Sequence, residues 1–365
     1  MTTHPTAHAA ELGSAAAAAP SLWSGVDEVI DRTSSLRDLR AHRLQLLAAR
    51  RWRELGREVP TELIEEEFRS AWQFAASKAV LRDAVAAYDG PLLVLKGPHT
   101  ASFYPAPQLR PFSDVDVLAA EPEKAHSALL AAGFEPIGFD DDYYRGLHHL
   151  RPLLDRERGL AVEIHRYPNW FSWSDPPDRH ELLATGESDI LGIPGLSGLA
   201  PEYHALVLAA HGWVELPFRR VSDLLDVAAV AACADGDAIA LLAERWQMER
   251  VWRTTIAAAD AMFRGGEIPA AMRICAGNFL GVRDRTVQET HVRRLVASFW
   301  ALPLPGAIAE FAHAIALTAL PSPSDTWSTK LARGRLALRH RSQPSSEHVE
   351  LLGTDAQRAP RLHRR

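Results

Sequence analysis

Three short strand patterns crowd between residues 91 and 165 and are bracketed by long helical patterns, which constrains this chain more than any other feature. Pro91-Leu92-Leu93-Val94-Leu95 is a continuous apolar run of the kind that forms a buried strand. Ser113-Asp114-Val115-Asp116-Val117-Leu118 and Ala161-Val162-Glu163-Ile164-His165 interrupt apolar strands with acids at alternate positions. Between them Glu121-Pro122-Glu123-Lys124 opens a helix that stops at Gly133, and a strand-like stretch from His148 to Leu154 turns at Arg156-Glu157-Arg158-Gly159. Strands and helix at this density predict a compact α/β unit over about 85–195.

The flanks read as helical. Leu36, Leu39, Leu44 and Leu47 recur at helical spacing, as do Leu63, Phe68, Trp72, Ala76 and Val80. Thr61 is expected to cap the second of these helices, with Glu62 and Glu65 to Glu67 near its start. From Ala200 to about Leu320 the pattern is helical again: a helix from Pro201 through His211, another from Val221 to Ala232, and one continuing from Asp237 to Phe263. No period of 20–50 residues recurs, so the pattern predicts a bundle rather than a solenoid. The expected architecture is α/β (α+β): a disordered start at 1–20, a helical segment at 21–88, a small mixed-sheet core at 89–198, a helical domain at 199–320 and a basic, partly disordered tail at 321–365.

Composition excludes several classes. An apolar fraction of 47% with 24% charged residues is that of a globular protein, not of a disordered or fibrous one. No stretch approaches the ~18 uncharged apolar residues of a membrane span. A net charge of −6 speaks against a general nucleic-acid binder, although the tail from Lys330 onward is rich in arginine. Cys233 and Cys275 are too few for a disulfide framework and are expected to be buried, reduced thiols in a cytoplasmic protein.

The chemistry concentrates at Asp114-Val115-Asp116. A strand sends residues i and i+2 to one face, so both carboxylates point the same way while Val115 and Val117 enter the core. Two carboxylates on one face repel each other unless a cation lies between them, and Mg²⁺ shared with substrate phosphates is a common resolution. By itself the pair also suits two solvated acids on an edge strand. Glu163 changes the balance: if its strand pairs beside the first, three carboxylates meet, enough to hold two ions for an in-line phosphoryl displacement. Lys96-Gly97 follows the first strand, where glycine permits close backbone approach to phosphate and lysine supplies a point charge.

These segments together, Leu95-Lys96-Gly97, Tyr104-Pro105, Leu109-Arg110-Pro111-Phe112-Ser113-Asp114-Val115-Asp116-Val117-Leu118, Gly133-Phe134 and Val162-Glu163-Ile164-His165, resemble an uncharacterised nucleotidyltransferase-like family of the polymerase-beta-type superfamily. The resemblance covers roughly 85–265 and includes His204, His211 and Arg220-Val221-Ser222-Asp223-Leu224. It implies transfer of a nucleoside monophosphate from a nucleoside triphosphate to a hydroxyl or similar acceptor on a small molecule or peptide, with Mg²⁺ or Mn²⁺ and release of pyrophosphate. It also implies Asp114, Asp116 and Glu163 as metal ligands and catalytic carboxylates, with Lys96, Gly97, Arg110, Ser113 and His165 as nucleotide contacts. The chain departs from the superfamily where Gly97-Pro98 replaces Gly-Ser; Lys96, His99, Thr100 or Ser102 are the available substitutes for the missing hydroxyl.

Other residues carry two readings. Arg110 reaches the triphosphate or pairs with an acid; His165 orients a metal ligand or packs; His204 and His211 line or buttress the cleft without the i, i+4 spacing of a zinc helix. Asp223 and Asp226 form internal ion pairs after Arg219-Arg220 or contact substrate. His148-His149 and Asp140-Asp141-Asp142 are expected in a loop, solvated as acid runs usually are, with a second metal site as the alternative. Trp170, Phe171 and Trp173 stack on a base or cap the core. The competing functions are a non-catalytic binding module on the same fold, favoured by Gly97-Pro98, and a toxin-like enzyme acting on tRNA ends.

Overall fold

A computed structural model describes residues 19–276, residue 280, residues 285–319 and scattered positions between 326 and 342. Of the start at 1–20, expected to be disordered, residues 1–18 lie outside the described residues, as does most of the tail at 321–365, expected to be partly disordered. Three helices open the described chain, α1 (Ala19–Arg32), α2 (Leu36–Ala41) and α3 (Gln45–Glu54), followed by the long α4 (Thr61–Ala87). The sheet region contains β1 (Leu92–Val94), α5 (Pro98–Ala101), β2 (Asp114–Ala119), α6 (Pro122–Ala131), β3 (Glu135–Pro136) and α7 (Asp141–Tyr144). It is completed by β4 (Leu153–Asp155), β5 (Leu160–His165), α8 (Arg179–Ala184), β6 (Glu187–Ser188) and β7 (Leu196–Gly198). The helical part follows as α9 (Pro201–Glu215), α10 (Val221–Ala231), α11 (Gly236–Arg245) and α12 (Glu249–Phe263). Beyond these lie α13 (Ala270–Ala276), a small β8 (Arg285–Thr286) paired with β9 (Arg341–Ser342), α14 (Val287–Ala301) and α15 (Leu304–Ala319).

The seven-stranded mixed sheet has the order β3-β4-β5-β2-β1-β7-β6. β2 runs parallel to β5 and antiparallel to β1, so the acidic strand sits in the middle of the sheet. That removes the edge-strand alternative for Asp114 and Asp116.

Strand alternation then divides the sheet into two faces. Val115 and Val117 lie with Val94, Val162 and Ile164 on one face, covered by Val80, Leu81 and Ala84 of α4 and by Ala125 and Leu129 of α6. Each of the buried valines, leucines and Ile164 contributes about 1.5–3 kcal/mol relative to exposure. Leu93, Leu95 and Leu118 join the opposite, larger core, built from Leu22, Val26 and Leu47 near the start of the chain and Leu206, Leu225 and Val251 of α9, α10 and α12. Asp116, two residues before Leu118 in β2, shares that face, so the sheet turns its carboxylates toward the helices.

Several local expectations need correction. Pro60, not Thr61, occupies the position before the first residue of α4, and no side chain caps that end. The leucine run at 36–47 breaks at Arg43, whose φ is +56°, and the run from Asp237 to Phe263 breaks at Gln247, with φ +57°. Both reversals separate short helices, because a left-handed residue cannot continue a right-handed helix. Phe68 and Trp72 are 76% and 55% exposed although Ala76 and Val80 are buried. A step of four residues overshoots a 3.6-residue turn by about 40°, so Phe68 and Trp72 stand around the helix from Ala76 and Val80, while Leu63, five residues before Phe68, is buried. Cys233 is exposed rather than buried. Asp140 is the cap of α7 rather than part of a loop, its side chain accepting from Tyr143 N at 3.1 Å. Among the described residues no helix is long and apolar enough to cross a membrane.

Candidate active site

The register of β2 and β5 sets Asp116 opposite Glu163 and Leu118 opposite His165. Partners in adjacent strands share a face, so Asp114, Asp116, Glu163 and His165 all project toward the helical bundle. Leu95 N donates to Asp116 O at 2.9 Å, which extends the pairing of β1 and delivers Lys96 beside the acids. Lys96 Nζ lies 3.4 Å from Asp116 Oδ2 and 3.4 Å from His211 Nε2 of α9. On the other side His165 Nε2 donates to Asp116 Oδ1 at 2.9 Å and lies 3.8 Å from Glu163 Oε2.

Gly97 permits this arrangement. Its φ is +66°, and a Cβ there would stand 2.9 Å from the Asp114 carbonyl oxygen. The close backbone approach is therefore to β2 itself.

Burial divides the protonation of the cluster. Asp116 is 2% exposed. Burial would raise its pKa, but Lys96 and the hydrogen-bonded His165 outweigh this and hold it well below the usual carboxylate range. Glu163 is pushed up to about 8 by burial, with Asp116 and Asp114 adding like-charge repulsion. Asp114 is also raised, by burial and then by Asp116. Burial works against the charge of Lys96, yet Asp116, Asp114 and Glu163 raise its pKa overall. Burial lowers the surrounding imidazoles, His149 to about 4 and His211 to about 3.

A metal fits these residues. One ligand atom from each of Asp116, Glu163 and His165 lies within 4.8 Å of the others, and Asp116 Oδ2 is buried without a hydrogen-bond partner. The tight set thus contains His165, with Asp114 two residues back along β2 rather than within it.

Other expected contacts are placed differently. Arg110, expected to reach a triphosphate, turns to α10 instead, where its Nε and Nη2 each donate to Asp226 at 2.7 Å. Its Nη1 donates to Gly97 O at 3.3 Å, and Tyr104 OH donates to the same Asp226 at 2.7 Å. Asp226 therefore pairs with Arg110, not with the neighbouring Arg219 and Arg220. Ser113 is exposed at the entrance to β2. The substitutes for the missing serine are engaged: His99 Nε2 with Leu199 O at 3.0 Å, Thr100 Oγ1 with His204 Nε2 at 3.0 Å, and Ser102 Oγ with His99 O at 2.6 Å. Lys96 is the one that remains at the acids. His204 stacks on His99 at 4.7 Å, behind the site, whereas His211 reaches it. Trp170 and Phe171 are buried in the core.

Spacing alone did not place His148, His149 or Arg43 at the site. His149 comes from the segment before β4, pairs with His165 across an isolated bridge and brings Nε2 to 4.0 Å from Glu163 Oε2. His148 lies against His165, with ring centroids 5.2 Å apart. Arg43, at the left-handed turn between α2 and α3, comes close enough for Asp223 and Asp114 to act on it, while burial lowers its pKa. The His-His doublet was the only local signal; its place depends on strand pairing.

A family model described as uncharacterised nucleotidyltransferase matches residues 29–264. The chain belongs to this family. No curated protein and no solved structure matches it. The matched span of this nucleotidyltransferase family member begins within α1, well before the resembling motifs. The packing of α1–α3 into the same core as α9–α12 gives the physical reason: these helices complete the wall that the carboxylates face.

Proposed function

We propose that the chain transfers a nucleoside monophosphate from a nucleoside triphosphate to a hydroxyl or similar acceptor on a small molecule or peptide, releasing pyrophosphate. The observation that carries this reading is the pairing of Asp116 with Glu163 across parallel central strands, with Asp114 on the same face. Asp116 and Glu163, with Asp114 alongside, would hold the divalent ion. Such an ion would supply charge neutralisation at the attacking and leaving oxygens.

The chain's own groups take the remaining roles. Lys96 holds a positive charge at the carboxyl end of β1, suited to the phosphates of the donor. Glu163, pushed up to about 8 in the metal-free chain by burial and then by Asp116 and Asp114, is suited to a ligand's role, because a bound cation relieves that repulsion. His165 and Lys96 keep Asp116 ionised from its two sides. Arg110 works from behind: tied to Asp226 and to Gly97 O, it steadies the turn that presents Lys96.

A thermal-shift titration with a nucleoside triphosphate, with and without Mg²⁺ or Mn²⁺, tests the reading. A ligand that binds only the folded chain raises Tm by mass action. The expected result is a shift that needs the metal and is lost in Asp116→Asn. Equal shifts with and without metal would count against use of the carboxylates. A second reading, a binding module without turnover, has one observation in its favour: Lys96 already neutralises Asp116. It predicts nucleotide binding with no pyrophosphate release by the wild type for any acceptor supplied.

A further inference from the structure

We infer that Arg43 and Arg220 form a polyphosphate-binding site on the helical wall that the carboxylates face, and that it takes the β- and γ-phosphates of the donor. The inference rests on the nucleotidyltransferase reading and deepens it by naming phosphate contacts that neither Gly97-Pro98 nor Arg110 supplies.

Two turns deliver the guanidinium groups. Arg43 is itself left-handed, with φ +56°, and Arg220 follows left-handed Phe218, also at φ +56°, in the turn between α9 and α10. The turns are pinned to each other: Ser222 N donates to His42 O at 3.2 Å and Val221 N donates to His42 Nδ1 at 3.3 Å. The first amides of α10 are therefore spent on His42, so an anion here is held by side chains and not by the helix end.

The charges around these turns do not balance. Arg110 is paired with Asp226 at 2.7 Å and Arg219 with Glu215 at 3.3 Å. Arg43 and Arg220 are left to share Asp223, and among the described residues neither guanidinium has an acid within ion-pair distance. Arg220 is only 8% exposed, and its Nε is buried without a hydrogen-bond partner. A buried cation without a close counter-charge is costly, and a second cation beside it adds to the cost. Arg220 also stands just before the first residue of α10, where the helix dipole favours an anion over a cation. Burial and then Arg43 lower Arg220 to about 10, which leaves it protonated at neutral pH. An anion shared by the two groups answers all of this, and guanidinium forks match phosphate oxygens.

The site adjoins the carboxylates and is open to a ligand. Asp114 acts on Arg43, and Glu215 acts on Arg220 as well as on Lys96 and Glu163. Arg43, Asp114 and Asp223 are half-buried. Asp114 lies two residues before Asp116, about 6.5–7 Å along β2, and a triphosphate chain bridges that separation. Lys96 then serves the reacting end of the donor, and Arg43 and Arg220 serve the end that leaves as pyrophosphate.

Calorimetric titration of the full-length protein with inorganic tripolyphosphate in EDTA reads this site without metal or nucleoside. Expected are saturable binding by the wild type and a loss of about tenfold or more in Arg43→Asn, the effect of one charge-assisted contact. Asp223→Asn should bind more tightly, because it removes the carboxylate that the two arginines share. Asparagine tolerates a left-handed φ, so Arg43→Asn keeps the turn. Because Arg220 is buried, Arg220→Gln can fail to fold; Arg43→Asn and Asp223→Asn carry the test without it. With Mg²⁺ present, Arg43→Asn should weaken a nucleoside triphosphate about tenfold or more and leave the monophosphate within about twofold, a split that a merely structural role does not produce. No tripolyphosphate binding, equal binding by the wild type and Arg43→Asn, no gain in Asp223→Asn, or an equal loss for triphosphate and monophosphate overturns the inference. A metal-dependent nucleotide shift that persists under any of those outcomes leaves the nucleotidyltransferase reading standing. Arginine-dependent tripolyphosphate binding in a chain without a metal-dependent nucleotide shift sinks that reading and keeps the polyphosphate site.

Discussion

Arg110 and Asp226 meet through two parallel 2.7 Å hydrogen bonds, joining the loop before β2 to the middle of α10. The guanidinium and carboxylate lie 116 residues apart in sequence and are almost wholly buried. With Tyr104 on the same carboxylate, the pair fixes the sheet against the helices at the site's back wall.

Removing one partner of a buried pair leaves the other charge uncompensated. Asp226→Asn is therefore expected to lose about 3–5 kcal/mol of stability. Urea denaturation followed by far-UV circular dichroism measures this. A loss below about 1 kcal/mol would mean that Arg110 finds another anion.

Gly97→Ala combines a left-handed φ of +66° with a Cβ 2.9 Å from Asp114 O. The conformational part alone costs about 1–2 kcal/mol for a residue with a side chain. The variant is expected to be destabilised by at least that much and to bind triphosphate more weakly, because the turn that places Lys96 must shift. Unchanged stability and unchanged nucleotide binding would show that the turn is not under this constraint.

Asp116→Asn is expected to abolish pyrophosphate release by several orders of magnitude, since metal clamping supplies several kcal/mol to such transition states. Relief of repulsion with Asp114, the effect suggested by the D-x-D spacing, is not the dominant consequence for stability. Asp116 is held by Lys96 and His165, and a hydrogen bond to a charged group contributes about 1.5–3 kcal/mol. The variant should therefore be less stable than the wild type in the absence of metal. A higher Tm would restore the repulsion argument.

His99 and His204 give stability a pH dependence. Burial lowers both pKa values, that of His204 well below the ordinary value of 6.5. Above pH 6.5 the rings are neutral in folded and unfolded chains alike. As pH falls below 6.5 the unfolded chain takes up protons that the folded chain refuses, so stability is lost progressively toward the folded pKa. Denaturation midpoints at pH 7 and pH 5.5 should differ less in His204→Gln than in the wild type. An equal difference would place the acid sensitivity in other groups.

Alternation along a strand is a local property, so the sequence by itself determined that Asp114 and Asp116 share a face of their strand and that Glu163 and His165 share a face of theirs. The same locality made the strands around Leu93, Val115 and Val162 and the helical character of both flanks legible. It did not reveal the left-handed breaks at Arg43 and Gln247, where tertiary packing overrides an unbroken apolar pattern. Which faces meet was decided only by the tertiary structure. The parallel register of β2 with β5 brings Asp116 to Glu163, the bridge at His149 adds an imidazole from a segment that reads as a solvated loop, and Asp226 claims Arg110. These contacts join residues 16 to 116 positions apart, and their formation depends on the chain entropy and packing of everything between them. No spacing rule within a short window carries that information.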